Sequence, residues 1–111
     1  METNFNPVSD ADALEELFAR SNETPVLLFK HSNACPISAR AYRQMEEIKT
    51  PVSIVVVQKS RDVSREVEER TGIRHETPQA LILRNGQVVW SASHFDITAD
   101  VVEQAVKKAE G

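Results

Sequence analysis

The chain has 111 residues, which suits one domain, and is 41% hydrophobic and 27% charged, the balance of a globular protein with a core. Its net charge of −4 at pH 7 argues against a nucleic-acid surface, and no apolar stretch approaches the ~20 residues that span a bilayer. The opening METNFNPVSDADA lacks the basic-then-apolar order of a signal peptide, and the sole cysteine cannot close an internal disulfide. The expectation is therefore a single domain over residues 1–111, cytoplasmic and monomeric, without nucleic-acid or membrane partners.

Ser9 is placed to cap a first helix, with Asp12 as a capping-box-like partner and Leu14, Leu17 and Phe18 on one face. Asn22 to Pro25 breaks that pattern. Val26 to Phe29 then reads as a short buried strand. A helix follows Cys35 and runs to about Ile48, with Pro36 in its first turn and Ala41, Met45 and Ile48 at helical spacing. Pro51 ends it. Val52 to Val57 is rich in β-branched residues and predicts a strand covered on both faces.

Arg61 to Thr71 predicts a third helix, capped by Ser60, stopped by Gly72 and facing inward at Val63 and Val67; the charges REVEER at 65–70 read as its solvated face. Ala80 to Leu83 and Gln87 to Ser91 read as strands joined by the hairpin turn Asn85-Gly86. Thr98 caps a last helix with Val101, Val102, Ala105 and Val106 inward. The order αβαβαββα predicts an α/β fold. Early βαβ units give parallel strands, the hairpin adds an antiparallel edge, and helices flank a mixed central sheet.

Cys35 stands where a strand hands over to a helix. As the N-cap residue it would face the free N–H groups of Ile37 and Ser38, and these groups with the helix dipole favour a thiolate. The Ser38 hydroxyl is a further donor. The bland alternative is a small buried apolar residue. Thr77-Pro78 precedes the strand QALILR, where proline is tolerated, and a cis bond there would turn the Thr77 backbone towards a neighbouring strand's end.

The segment FKHSNACPISARAY (29–42), with Cys-Pro-Ile-Ser at 35–38, and Thr77-Pro78 before a β-hairpin resemble the thioredoxin fold. More narrowly they resemble the monothiol bacilliredoxin, or YtxJ-like, family, whose corresponding stretch reads close to KHS-x-x-CPIS. The resemblance extends along nearly the whole chain. It implies that Cys35 is the nucleophilic thiol, with Pro36 and Ser38 in its motif. It implies that Thr77-Pro78 is a cis-proline dipeptide beside it. It further implies that the substrate is a mixed disulfide between a client protein and bacillithiol, a low-molecular-weight thiol carrying a malate group. No bound cofactor is expected; the small thiol is a co-substrate, and a reductase is a candidate for regenerating Cys35.

Other residues carry competing readings. His31 either tunes the thiolate or is a core-edge histidine with one hydrogen bond, and Lys30 points to the opposite face. Arg40, Arg74 and His75 are candidate cations for the malate group, set against plain surface charge; the Thr77 backbone is the safer contact. Trp90 and Phe95 read as packing residues, and Tyr42 as core or rim. Cys35 and His31 alone make no closed metal site. Pro36 replaces the glycine of cluster-binding monothiol glutaredoxins, which weakens that reading. Two functions compete with catalysis: a redox sensor modified at Cys35, and a non-catalytic adaptor that uses the same fold.

Overall fold

The computed structural model of the chain describes residues 5–110; residues 1–4, part of the polar opening segment read above, and Gly111 lie outside the described residues. In chain order the elements are β1 (Phe5–Pro7), α1 (Ala11–Arg20), β2 (Val26–His31), α2 (Pro36–Glu46), β3 (Val52–Val56), α3 (Arg61–Thr71), β4 (Gln79–Arg84), β5 (Gln87–Ser93), a 3₁₀ turn (His94–Asp96) and α4 (Ala99–Glu110). The fold is α/β, with a five-stranded mixed sheet in the order β1-β3-β2-β4-β5.

The predicted order needs one addition. β1 precedes α1 and pairs in parallel with β3, Phe5 opposite Val52 and Pro7 opposite Ile54. Three residues are too few to show a strand period, and proline on an edge strand gives no inward signal. A second correction concerns direction. β2 and β3 are parallel, but β4 runs antiparallel to β2, with Leu28 opposite Leu81 and Lys30 opposite Gln79. The α3 connection is therefore not a parallel crossover. β4 and β5 form the antiparallel hairpin expected from Asn85-Gly86, whose φ angles of 56° and 75° are the left-handed pair such a turn requires.

β2 occupies the middle of the sheet and is buried at every position, which a strand covered on both faces demands. Its side chains alternate between two cores. Leu27 and Phe29 pack with Ala41 and Met45 of α2 and with Val102, Ala105 and Val106 of α4. Val26 and Leu28 pack with Leu14, Leu17 and Phe18 of α1 and with Val63 and Val67 of α3. His31 therefore falls on the α2/α4 side and Lys30 on the α1/α3 side.

The helix ends follow local chemistry, with small departures. α1 is capped by Asp10, not Ser9: Asp10 Oδ1 accepts from the Ala13 N–H at 2.8 Å. Ser60 is the N-cap of α3 but makes no side-chain cap bond, and Gly72 ends that helix at φ 72°. Thr98 Oγ1 accepts from the Val101 N–H at 3.3 Å at the start of α4. Val101 itself is 43% exposed rather than inward, because the buried stripe runs through Val102, Ala105 and Val106 and leaves it outside. Among the described residues no helix is long and apolar enough to cross a membrane.

Candidate active site

α2 begins directly above the carboxyl end of β2. Pro36 takes its first position, where a missing N–H leaves no bond unmade and the fixed φ already suits a helix. Cys35 is the N-cap, extended at φ −117° and ψ 122°, and its carbonyl accepts the first helical bond from the Ala39 N–H at 3.0 Å. The thiol is half-buried, and no side-chain cap bond forms at Cys35. It is thus positioned at the free N–H groups of a helix without being tied to them, and remains open for reaction.

Ser38 does not face the thiol. It shares the inward stripe of α2 with Ala41 and Met45 and is fully buried. Its Oγ lies 2.8 Å from His31 Nδ1 and accepts from the Ser32 N–H at 2.9 Å. With one lone pair given to Ser32, the Ser38 hydroxyl is free to donate to Nδ1, which places the neutral ring's proton on Nε2. Burial keeps the His31 imidazole below its ordinary range, with a hydrogen bond to the Ser38 backbone opposing that shift. The ring also packs on Phe29 and Tyr42, at centroid distances of 5.7 and 4.9 Å, and Tyr42 in turn meets Phe5 edge-on at 4.8 Å. His31 is therefore a core-edge histidine with one side-chain hydrogen bond, linked to the Cys35 segment through Ser38.

The loop from β2 to Cys35 is held by Gln58, a residue that no motif singles out. Gln58 Oε1 accepts from the Asn33 N–H at 3.0 Å, and its Nε2 donates to Ser32 Oγ at 2.8 Å. Ser32 Oγ also accepts from the Ala34 N–H at 3.3 Å. A long-range amide clamp of this kind leaves no trace in local spacing.

Thr77-Pro78 reaches the same end of the sheet on the neighbouring strand. The bond is cis; Thr77 is half-buried and Pro78 buried. Lys30 pairs with Gln79, so one step further along the antiparallel register sets Pro78 level with His31, four residues before Cys35. The Pro78 carbonyl accepts from the His94 N–H at 3.0 Å.

The candidate cations separate. The Arg40 guanidinium lies over the Phe95 ring at 5.5 Å, and its Nη1 is buried without a hydrogen-bond partner among the described residues. Phe95 is 60% exposed, so it is a lid on Arg40 more than a core residue. Arg74 is exposed, and its carbonyl accepts from Gln79 Nε2 at 2.9 Å. Lys30 is fully buried, on the α1/α3 side, with Nζ 3.0 Å from His75 Nδ1. Desolvation pushes its ammonium down to about 8, against a counter-pull from Glu68. No group of three or more His, Cys, Asp or Glu side chains that could hold a metal occurs among the described residues.

A cysteine at the N-terminus of the helix that follows β2, with a cis-proline at the end of the adjacent strand, is the arrangement of a thioredoxin-fold thiol oxidoreductase. Residues 6–102 match the family described as monothiol bacilliredoxin BrxC, and the chain belongs to that family. A solved protein assigned provisionally as an oxidoreductase with a thioredoxin fold is 33% identical, with a TM-score of 0.83 over 91% of this chain and 92% of that one. Thioredoxin from Malassezia sympodialis is 17% identical with a TM-score of 0.73, covering 95% and 90% of the two chains. Thioredoxin from Fasciola hepatica is 13% identical with a TM-score of 0.72, covering 94% and 98%. The last two share the fold alone.

Proposed function

We propose that this protein removes bacillithiol from S-bacillithiolated protein cysteines through a mixed disulfide on Cys35. The observation that carries this is a sole cysteine, half-buried at the N-cap of α2, in a chain of the monothiol bacilliredoxin family. The Cys35 thiolate attacks the bacillithiol sulfur of the mixed disulfide. The S–S bond breaks, and the client leaves as a thiolate that takes a proton from solvent. Cys35 now carries bacillithiol. A second bacillithiol thiolate attacks the bacillithiol sulfur of that adduct, releasing bacillithiol disulfide and the Cys35 thiolate; a dithiol reductase is the alternative route. Without a second cysteine no intramolecular resolving step exists.

In this proposal Thr77 offers its backbone to the bound disulfide, Pro36 fixes the helix start, and Ser38 with His31 positions the Cys35 segment without touching the reacting sulfurs. Arg40 and Arg74 are the cations offered to the small thiol. The partners are S-thiolated client proteins, bacillithiol and a regenerating reductase, and the protein acts as a cytoplasmic monomer. The test is transfer itself. A purified client carrying bacillithiol on one cysteine is mixed with substoichiometric protein and free bacillithiol, and release is followed by mass spectrometry. Catalytic release that is lost in Cys35→Ser supports the proposal; stable modification of Cys35 without release refutes it in favour of a sensor.

A further inference from the structure

The residue after β3, the stretch of α3 from Arg61 to Glu68 and the segment leading to Thr77 border a cavity of about 270 Å³ lined by Val57, Arg61, Ser64, Arg65, Glu68 and His75. The chain is acidic overall, yet this cavity is cationic. Arg61 and Arg65 lie one helical turn apart, and neither has a hydrogen bond or ion pair among the described residues. The fully buried Lys30 stands behind His75. An ammonium can only donate, so at neutral pH His75 Nδ1 accepts from it and the ring carries its proton on Nε2 as a donor. Ser64 Oγ lies 3.2 Å from the same Nδ1. Glu68 is the carboxylate in the wall, and its Oε2 accepts from the His75 backbone N–H at 2.7 Å. Lys30, Arg61 and Arg65 therefore outnumber Glu68.

Both rims of the cavity lead to the thiol. Val57 precedes Gln58, whose amide holds the Ser32 to Ala34 loop directly before Cys35. His75 stands two residues before Thr77, on the segment that ends in the cis-proline. A ligand disulfide-bonded to Cys35 and lying along Thr77 would extend towards this cavity by way of His75, two residues before Thr77 and one of its lining residues. Guanidinium groups bind carboxylates through paired, charge-assisted hydrogen bonds, and a cavity of this size takes one arm of a small molecule, not a whole drug-sized ligand.

We infer that this cavity is the subsite for a carboxylate of the small thiol while that thiol is bound to Cys35, with Arg61 and Arg65 as its ligating cations. The inference rests on Cys35 acting as a thiol-transfer nucleophile. A proton linkage accompanies it. Lys30 faces His75 from the segment before Thr77, Glu68 from α3 and Gln79 from β4; Ser64 and Glu76 act on His75 in turn. An anion in the cavity favours the charged form of Lys30. Its binding tightens as pH falls through about 8 and weakens above it.

Two measurements test the subsite and keep it distinct from the thiol chemistry. In the first, the reduced protein is titrated with succinate and the His75 ring resonances are followed by NMR. Saturable shifts that vanish in the Arg61→Gln/Arg65→Gln double variant support an anion site; no saturable shift overturns it, whatever Cys35 does. In the second, reduced Cys35 reacts with bacillithiol disulfide, which is anionic, and with hydroxyethyl disulfide, which is uncharged. Loss of two charge-assisted bonds predicts that the double variant slows on the order of ten-fold or more with the former and stays within about two-fold with the latter. Equal slowing, or none, overturns the subsite. Failure of the wild-type protein to react with either disulfide overturns the thiol reading and the subsite's role with it, and the succinate result then reports on the cavity alone.

Discussion

Ser38 illustrates how a motif residue acts away from the atom it flanks. Its hydroxyl serves two buried partners, the Ser32 N–H and His31 Nδ1. Ser38→Ala leaves both unsatisfied, and a buried orphan group costs roughly 1–3 kcal/mol. The expected outcome is a drop in stability of that order, read by urea unfolding; a change within experimental error would show that the network carries no weight. His31 adds a pH term. Its imidazole is held below its ordinary range, so below about pH 6.5 the unfolded chain takes up a proton that the fold resists, and stability falls as pH falls. Lys30 has the same sign at higher pH. Its ammonium is depressed from 10.5 to about 8, so between those values the unfolded chain binds the extra proton and stability rises with pH. Lys30→Met removes a buried charge of similar shape. It should be more stable than the wild type at pH 7, and the advantage should shrink as pH climbs from 8 to 10.5. Thermal melts at pH 7 and 10 would contradict this if the gap between variant and wild type stayed constant.

At the scale of elements, the features legible in the sequence are those whose chemistry is local. Pro36 after Cys35 marks a helix start, Gly72 a helix stop and Asn85-Gly86 a hairpin, because each residue type meets a backbone demand within its own turn. Gly72 can be tested directly. A Cβ there meets nothing within 4 Å, so Gly72→Ala has only the left-handed φ of 72° to oppose it, about 1 kcal/mol of destabilisation. A neutral or stabilising result by denaturant titration would mean that α3 ends differently in solution. What was not legible depends on distant partners. β1 is a strand only because β3 offers it an edge, and its three residues carry no period of their own. Asp10 displaces Ser9 as cap because the helix begins one residue later than the spacing suggested. Gln58 clamps a loop 25 residues earlier in the chain.

On the scale of the whole molecule, sheet order turns local signals into a site. β2 is central, and the Cys35 helix and the Thr77-Pro78 segment join at adjacent strand ends. Cys35 and Thr77-Pro78 stood out because each leaves a mark in one short stretch, the α/β class was readable from the order of elements, and the cis bond was implied by the resemblance. The roles of Lys30, Arg61 and Arg65 were not readable. Lys30 reads as an ordinary lysine beside a motif, and only the antiparallel placement of β4 buries it against His75. Arg65 reads as part of a solvated helix face, and Arg70 in that same run instead pairs with Glu15 and lies over the Phe18 ring. The charges of α3 are divided between α1 and the cavity near the thiol, a division that no helical period encodes. All of these placements matter for function only if Cys35 transfers a small thiol. The most direct measurement is therefore release of bacillithiol from a single-cysteine client by substoichiometric protein, followed by mass spectrometry with Cys35→Ser as control. Many turnovers per protein molecule with the wild type and none with the variant is the predicted result. A wild-type protein that accepts bacillithiol on Cys35 once and releases nothing further would contradict it.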